Sequence, residues 1–388
     1  MIIRGATVLH VDRLRPGTDL QVADGRITGI GPGLSAQPGE EILEARDLLA
    51  LPGLIDLHTH GIKTVSVQDG SLREYSRLQL EQGVTACVPT LYGSPEKNRR
   101  RILEAMKETR DLGDTPNILG FRPEIMYVAK TGAGAAESLS SIEPSVTEAL
   151  YEAANGRIPV WDVSAELVGA IPFIRWAVQR KIVVTLAHTS ATIEQARRAV
   201  DAGLSMVTHL YDTFEPPSME DPGVYPAGLT DYLQVEDRVT VEVIPDGVHV
   251  HPLLMEKTLR CKGLDRVVFV TDSLRGSGNP VGAYDGLVPG HRVLVTASRG
   301  MRRESDDALS GSCLTHIQSL RNAVLKLGRS IPEASALCSR NPARLLGLDK
   351  GILAPGRDAD IILLDNGLQL VATILAGKVV YRRDSAAA

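Results

Sequence analysis

The sequence predicts an α/β protein: a (β/α)₈ TIM barrel carrying a small β-sandwich domain formed by both termini. Three observations predict it. Short apolar runs alternate with helix-period stretches eight times through the middle of the chain. Both ends read instead as strands and turns with no helical period. Polar side chains interrupt the apolar runs at their C-terminal ends, where barrels of this kind carry their chemistry.

The N-terminal strands are expected at residues 2–9, 19–22 and 26–30, with Asp24-Gly25 between the last two as a two-residue hairpin turn. At the other end the stretch 356–360 precedes apolar runs at 361–364, 370–374 and 378–381. The expected division is therefore 1–52 plus 352–388 for the small β domain, and 53–351 for a metal-dependent catalytic barrel. Barrel strands fall at 53–57, 84–88, 118–122, 158–162, 182–187, 205–208, 239–244 and 267–270. Helices at 71–82, 97–112, 168–180, 192–202 and 253–262 separate most of them. A doubly wound sheet is the structural alternative, but eight repeats favour the barrel.

Composition narrows the function. With 388 residues, 43% of them hydrophobic, the chain can bury a large core. Its formal charge is −5 and no run of five basic residues occurs, so nucleic acid and anionic membranes are poor partners. No apolar stretch approaches the roughly 18 residues of a membrane span, and no basic leader opens the chain. Cys87, Cys261, Cys313 and Cys338 are scattered without a CxxC pair, which argues against a disulfide framework and a thiolate zinc site. The expectation is a soluble cytoplasmic enzyme acting on a small molecule.

The candidate chemistry lies at the strand ends. His58 and His60 follow LPGLIDL, Glu124 follows ILGFRP, and His188 ends VVTLA. His209 ends LSMVT, Asp246 and His249 follow VEVIP, and Asp272 ends VVFVT. Singly, each has an ordinary reading: a hydrogen-bonded core histidine, a helix-capping aspartate, a carboxylate paired to a neighbouring cation. Together they do not, because five of the nine histidines occupy strand ends. Imidazole and carboxylate ligands suit Zn²⁺ or Fe²⁺, and such an ion makes a coordinated water acidic enough to supply hydroxide near neutral pH. Glu124, His188 and His209 are candidate ligands, and Asp272 is a candidate base that carries the proton to a leaving amine. Two residues apart on a strand, His58 and His60 point the same way.

At these residues the sequence resembles the amidohydrolase superfamily, and within it the N-acetylglucosamine-6-phosphate deacetylases. Matching stretches include LPGLIDLHTHG, AHTSA, THLYDTF, PDGVHVHP, FVTDS, LSGSCLT and GILAPGRDADIILLD, so the resemblance runs over nearly the whole chain. It implies a metal held by Glu124, His188 and His209, with His58 and His60 supporting a second ion where one is present. It implies Asp272 as the acid–base, substrate contacts at His249, Asp212, Thr213 and Ser310, and a homodimer. With glutamate at 124, no carbamylated lysine is implied.

The substrate positions depart from the family pattern. Arg122-Pro123-Glu124 stands where His-x-Glu is usual, and Gly134-Ala135-Ala136 where Gly-Ala-His is usual. Asp212-Thr213 replaces Asn-Ala. The segment expected to supply a phosphate-binding arginine contains Glu220 and Asp221 and none. The reading is a metal-dependent deacetylase of a small N-acetylated amine or amino sugar lacking the usual 6-phosphate, unless Arg122, Arg275 or Lys130 takes an anion from a new direction. Cyclic amide or lactone hydrolysis and deamination are alternatives on the same apparatus. A catalytically silent binding protein is the alternative from another class.

Overall fold

The turn at Asp24-Gly25 is present as read. Strands Arg13–Ala23 and Arg26–Gly31 pair antiparallel with Ala23 opposite Arg26, and the two turn residues have φ of 50° and 75°. Positive φ at both positions is the geometry that matches a hairpin's right-handed twist. The computed structural model describes residues 1–217, 222–286 and 290–384.

The chain divides into two units, one comprising Met1–Asp56, Ser76–Cys87 and the chain from Thr315, the other Leu57–Tyr75 and Val88–Leu314. In the first unit, strands from both ends of the sequence share one eight-stranded sheet. Ile361–Leu364 pairs antiparallel with Leu49–Pro52, and the latter pairs parallel with Ile2–His10. The core of this sheet is built from alternating inward residues, among them Ile3, Val8, Leu20, Ile361, Leu363 and Ile374. Helices His316–Leu325, Ile331–Ser335 and Asn341–Leu346 complete the unit. The sequence reading placed no element between 271 and 350; here the helix-period pattern is short and broken by Gly328, Ser330 and Pro332.

In the second unit, strands Val160–Val163, Val183–Leu186, Met206–Val207, Thr240–Val243 and Val267–Phe269 form a parallel sheet in chain order. Helices Ala170–Gln179, Ile193–Asp201, Leu229–Val235 and Pro252–Lys262 connect them. Every residue of Val160–Val163 and Val267–Phe269 is buried, which explains near-continuous apolar runs in place of alternation. Arg122–Pro123 pairs parallel with Thr90–Leu91, and a parallel bridge joins Thr59 to Ser273. The strand expected over 118–122 is reduced to Arg122–Pro123, the upstream N–H groups of Ile118 and Phe121 being taken by the Thr115 and Arg157 carbonyls.

Trp161 packs edge-on against Phe173 of the helix Ala170–Gln179 with ring centroids 5.3 Å apart, and stacks 6.0 Å from Tyr127. After the last parallel strand, Gly282–Asp285, Arg292–Val295 and Met301–Arg303 make a small antiparallel sheet that the sequence reading left unassigned. Among the described residues no helix is long and apolar enough to cross a membrane.

Candidate metal centre

The strand-end residues converge. His188 Nε2 lies 3.1 Å from Glu124 Oε1, and His209 Nε2 lies 3.5 Å from the same oxygen. His60 Nε2 is 3.3 Å from Glu124 Oε2 and 3.2 Å from Asp272 Oδ1. His58 Nε2 is 3.5 Å from both carboxylates and 3.3 Å from His60 Nε2. All six side chains are buried. Four-coordinate zinc with bonds of about 2.0–2.1 Å holds its ligands about 3.3 Å apart, which is the spacing seen here.

Strand chemistry aims these groups. His60 Nδ1 lies 2.9 Å from the Thr90 carbonyl, so it carries the proton and leaves the Nε2 lone pair facing the cluster. His58 Nδ1 lies 3.4 Å from Glu242 Oε2, a carboxylate–imidazole arrangement of the kind that orients metal ligands. The backbone is strained where the cluster is assembled. His188, His209, Tyr211, Thr213 and Asp272 have φ of 45°, 23°, 85°, 60° and 47°, the left-handed region that side chains avoid. Asp272 is tied in place from both sides, its N–H donating to the His58 carbonyl and its carbonyl accepting from Ser312 N–H. Gly311, with φ of 52°, leaves no space for a side chain, since a Cβ there would lie 2.7 Å from the Asp272 carbonyl oxygen.

Charge balance tests whether the residues fit a cation. Glu124 and Asp272 are buried, and among the described residues no lysine or arginine is bonded to either. Burial opposes the charged form of both carboxyls. The neighbouring imidazoles outweigh it, holding Asp272 down to about 2 and Glu124 well below the usual range. The converse holds for the rings. Burial disfavours imidazolium, yet the carboxylates lift both His60 and His209 to about 10. A divalent cation bound here would take the place of ring protons and satisfy the same carboxylates. His188 Nδ1 and His209 Nδ1 have no hydrogen-bond partner among the described residues, while each ring meets the cluster through Nε2. The sets His58, Glu124, His209 and His58, His60, Asp272 each bring three ligand atoms within 4.8 Å of one another, and so does His209, Asp212, Asp272. The donor set fits a divalent metal.

A cavity of about 220 Å³ opens onto the cluster, lined by His249, Asp212, Thr213 and Gly132 as well as by His60, Glu124, His188, His209 and Asp272. His249 Nδ1 lies 2.7 Å from Asp246 Oδ2. Burial works against the charged ring, but Asp246 prevails and raises His249 above its ordinary value. Of the other positions expected to contact substrate, Ser310 and Ala136 are absent from the described lining, although Leu309, Gly311 and Gly134 beside them contribute to it. Glu220 lies outside the described residues.

Arg122 is placed differently from either reading of it. It is fully buried, contributes nothing to the cavity lining, and pairs not with Glu124 but with two other carboxylates. Its Nε and Nη2 donate to Asp162 at 2.7 and 2.9 Å, and its Nη1 to Glu242 Oε1 at 2.6 Å and the Leu57 carbonyl at 3.0 Å. Nη2 also donates to Thr208, whose hydroxyl donates to Asp162. A guanidinium this deep is stable only with its N–H groups engaged. Asp162 and Glu242 escaped the sequence reading. The available signal was a lone carboxylate inside each of the apolar strands VWDV and TVEV, which requires a buried cation partner.

A family model described as the amidohydrolase family matches residues 49–380. The chain belongs to the amidohydrolase family. Amidohydrolases of this kind are metal-dependent hydrolases of C–N bonds, and the His/Glu/Asp cluster is where this member would hold its ion. The amidohydrolase is 31% identical over 386 residues to an N-acetylglucosamine-6-phosphate deacetylase from Lysinibacillus sphaericus, covering 98% of this chain and 97% of that protein. It is 30% identical to an N-acetylgalactosamine-6-phosphate deacetylase from Escherichia coli O157:H7, covering 97% of this chain and 98% of that one. A crystal structure of N-acetyl-D-glucosamine-6-phosphate deacetylase from Mycobacterium smegmatis superposes with a TM-score of 0.87 at 28% identity, over 98% of this chain and all of that one.

Proposed function

We propose that this amidohydrolase is a deacetylase of a small N-acetylated amino sugar, working at the C-terminal end of a closed (β/α)₈ barrel of residues 53–351. The observation that carries the reading is the convergence of His58, His60, Glu124, His188 and His209 with Asp272 at 3.1–3.5 Å. Full-length similarity to two amino-sugar phosphate deacetylases supports it. Those relatives act on 6-phosphates, so the similarity lends no support to a substrate without one.

Glu124, His188 and His209 would hold the principal ion, and His58 and His60 a second if two are bound; zinc suits the donors, with Fe²⁺ the alternative. When bound, the ion acidifies a water and polarises an acyl carbonyl. Asp272, held ionised, accepts a proton and delivers it to the departing nitrogen. His249, aligned by Asp246, offers its Nε2 to the substrate's carbonyl or hydroxyl. The reading brings with it the resemblance's homodimer and cytoplasmic setting. The test is acetate release by zinc-loaded protein from N-acetylglucosamine 6-phosphate, N-acetylgalactosamine 6-phosphate and N-acetylglucosamine. Chelator-sensitive release from at least one is expected, and release from none contradicts the reading.

A further inference from the structure

The cavity over the candidate metal cluster is lined by three carboxylates, Glu124, Asp272 and Asp212, and by the imidazoles of His60, His188, His209 and His249. Among the described residues, Arg303 is the one lysine or arginine in its lining. The other cations considered from the sequence are engaged elsewhere. Arg122 is sealed in its own network, Lys130 Nζ donates to Glu215 at 2.6 Å, and Arg275 pairs with Asp69 and Asp285.

Arg303 ends the strand Met301–Arg303 and is held in a defined orientation. Its backbone N–H donates to the Ala308 carbonyl at 2.8 Å, and its carbonyl accepts from Asp307 N–H at 3.0 Å, closing a tight turn. Inside that turn Asp306 accepts from Arg303 Nε at 3.0 Å and from Nη2 at 2.6 Å, and from Ala308 N–H at 3.2 Å. Asp306 thus grips one edge of the guanidinium, while Nη1 has no partner among the described residues. The same turn sets Ala308 and Leu309 into the cavity wall.

We propose that Arg303 is a specificity-determining residue whose free Nη1 edge receives an anionic group, phosphate or carboxylate, on the N-acetylated substrate. The inference rests on the deacetylase reading of the same cavity. Once the imidazoles and carboxylates around the cluster are committed to an ion, the Nη1 edge of Arg303 is the one lysine or arginine donor left to an anionic group among the described lining residues. Docking it at Arg303 therefore turns the other end of the molecule, the amide, toward the metal ligands and Asp272. A charge-assisted hydrogen bond of this kind separates charged from neutral substrates by on the order of tenfold to hundredfold in affinity.

The test is calorimetric binding of three probes to zinc-loaded Asp272→Asn protein: N-acetylglucosamine 6-phosphate, N-acetylglucosaminuronic acid (carboxylate at C6) and N-acetylglucosamine. At least one charged probe should bind tenfold or more tightly than the neutral one, and which one it is separates phosphate from carboxylate. Arg303→Met should erase that preference while leaving the neutral probe unchanged. Arg303→Lys should retain part of it and guards against misfolding of the first variant. Absence of a tenfold preference, including no binding by any probe, or a preference that survives Arg303→Met, overturns the proposal. Failure of the deacetylase reading looks different: a charged probe bound through Arg303 but not hydrolysed by zinc-loaded wild-type protein.

Discussion

Arg122 Nη1 donates to Glu242 Oε1 at 2.6 Å, while the other oxygen of the same carboxylate lies 3.4 Å from His58 Nδ1. One buried carboxylate thus serves both a structural cation and a candidate metal ligand. Glu242→Gln keeps the shape but weakens the partner that orients His58, and outer-shell losses of this type cost about 10–100-fold in metal affinity. A zinc-competition titration should show that loss, and unchanged affinity would disconnect Glu242 from the metal site. Arg122→Met should be worse for the fold, because it strands Asp162 and Glu242 as buried charges, at a cost of about 3–5 kcal/mol in urea unfolding.

Gly311 sits against the backbone of Asp272. A methyl group there would lie 2.7 Å from both the Asp272 carbonyl oxygen and Leu274 Cγ, at a backbone φ of 52° that disfavours any side chain. Gly311→Ala should therefore displace Asp272, lowering turnover at least tenfold and stability by about 1–3 kcal/mol. Parallel activity and thermal-unfolding measurements check it. Wild-type turnover in this variant would show that the position of Asp272 does not depend on Gly311.

Just before the strand Ile361–Leu364, Asp360 Oδ2 lies 2.5 Å and Asp358 Oδ2 3.1 Å from Lys350 Nζ. Burial opposes the charged amine, but the two carboxylates outweigh it and raise Lys350 above its ordinary value of 10.5. A raised value means the folded state holds this proton more tightly than the unfolded chain. Its stabilisation is complete below about pH 10.5 and is lost as pH climbs through the raised value. Lys350→Met should cost about 3 kcal/mol at pH 7, with the gap to wild type closing at more alkaline pH. A gap independent of pH would contradict the ion pair as its source.

Much of this was legible in the sequence, for identifiable reasons. The Asp24-Gly25 turn has residues that tolerate positive φ, and the apolar strands Ile361–Leu364 and Val84–Leu91 are bounded by turn residues. The candidate ligands stood out because an imidazole or carboxylate at the end of a buried strand is expensive unless it has a task. What stayed hidden depends on partners distant in sequence. Arg122 reads as a neighbour of Glu124, yet its partners are 40 and 120 residues away, at Asp162 and Glu242. Arg303 lies in a polar stretch, MRRESDD, that carries no periodic signal; only folding brings it to the cavity wall.

The claim on which everything else rests is that Asp272 moves a proton at a centre whose ion is held by Glu124, His188 and His209. The most direct measurement is turnover per bound metal ion at neutral pH, compared between wild type and Asp272→Asn. The account predicts metal in both proteins and a fall in turnover on the order of 10²–10⁴-fold in the variant. Wild-type protein that takes up no divalent ion, or a variant that turns over at the wild-type rate, would contradict it.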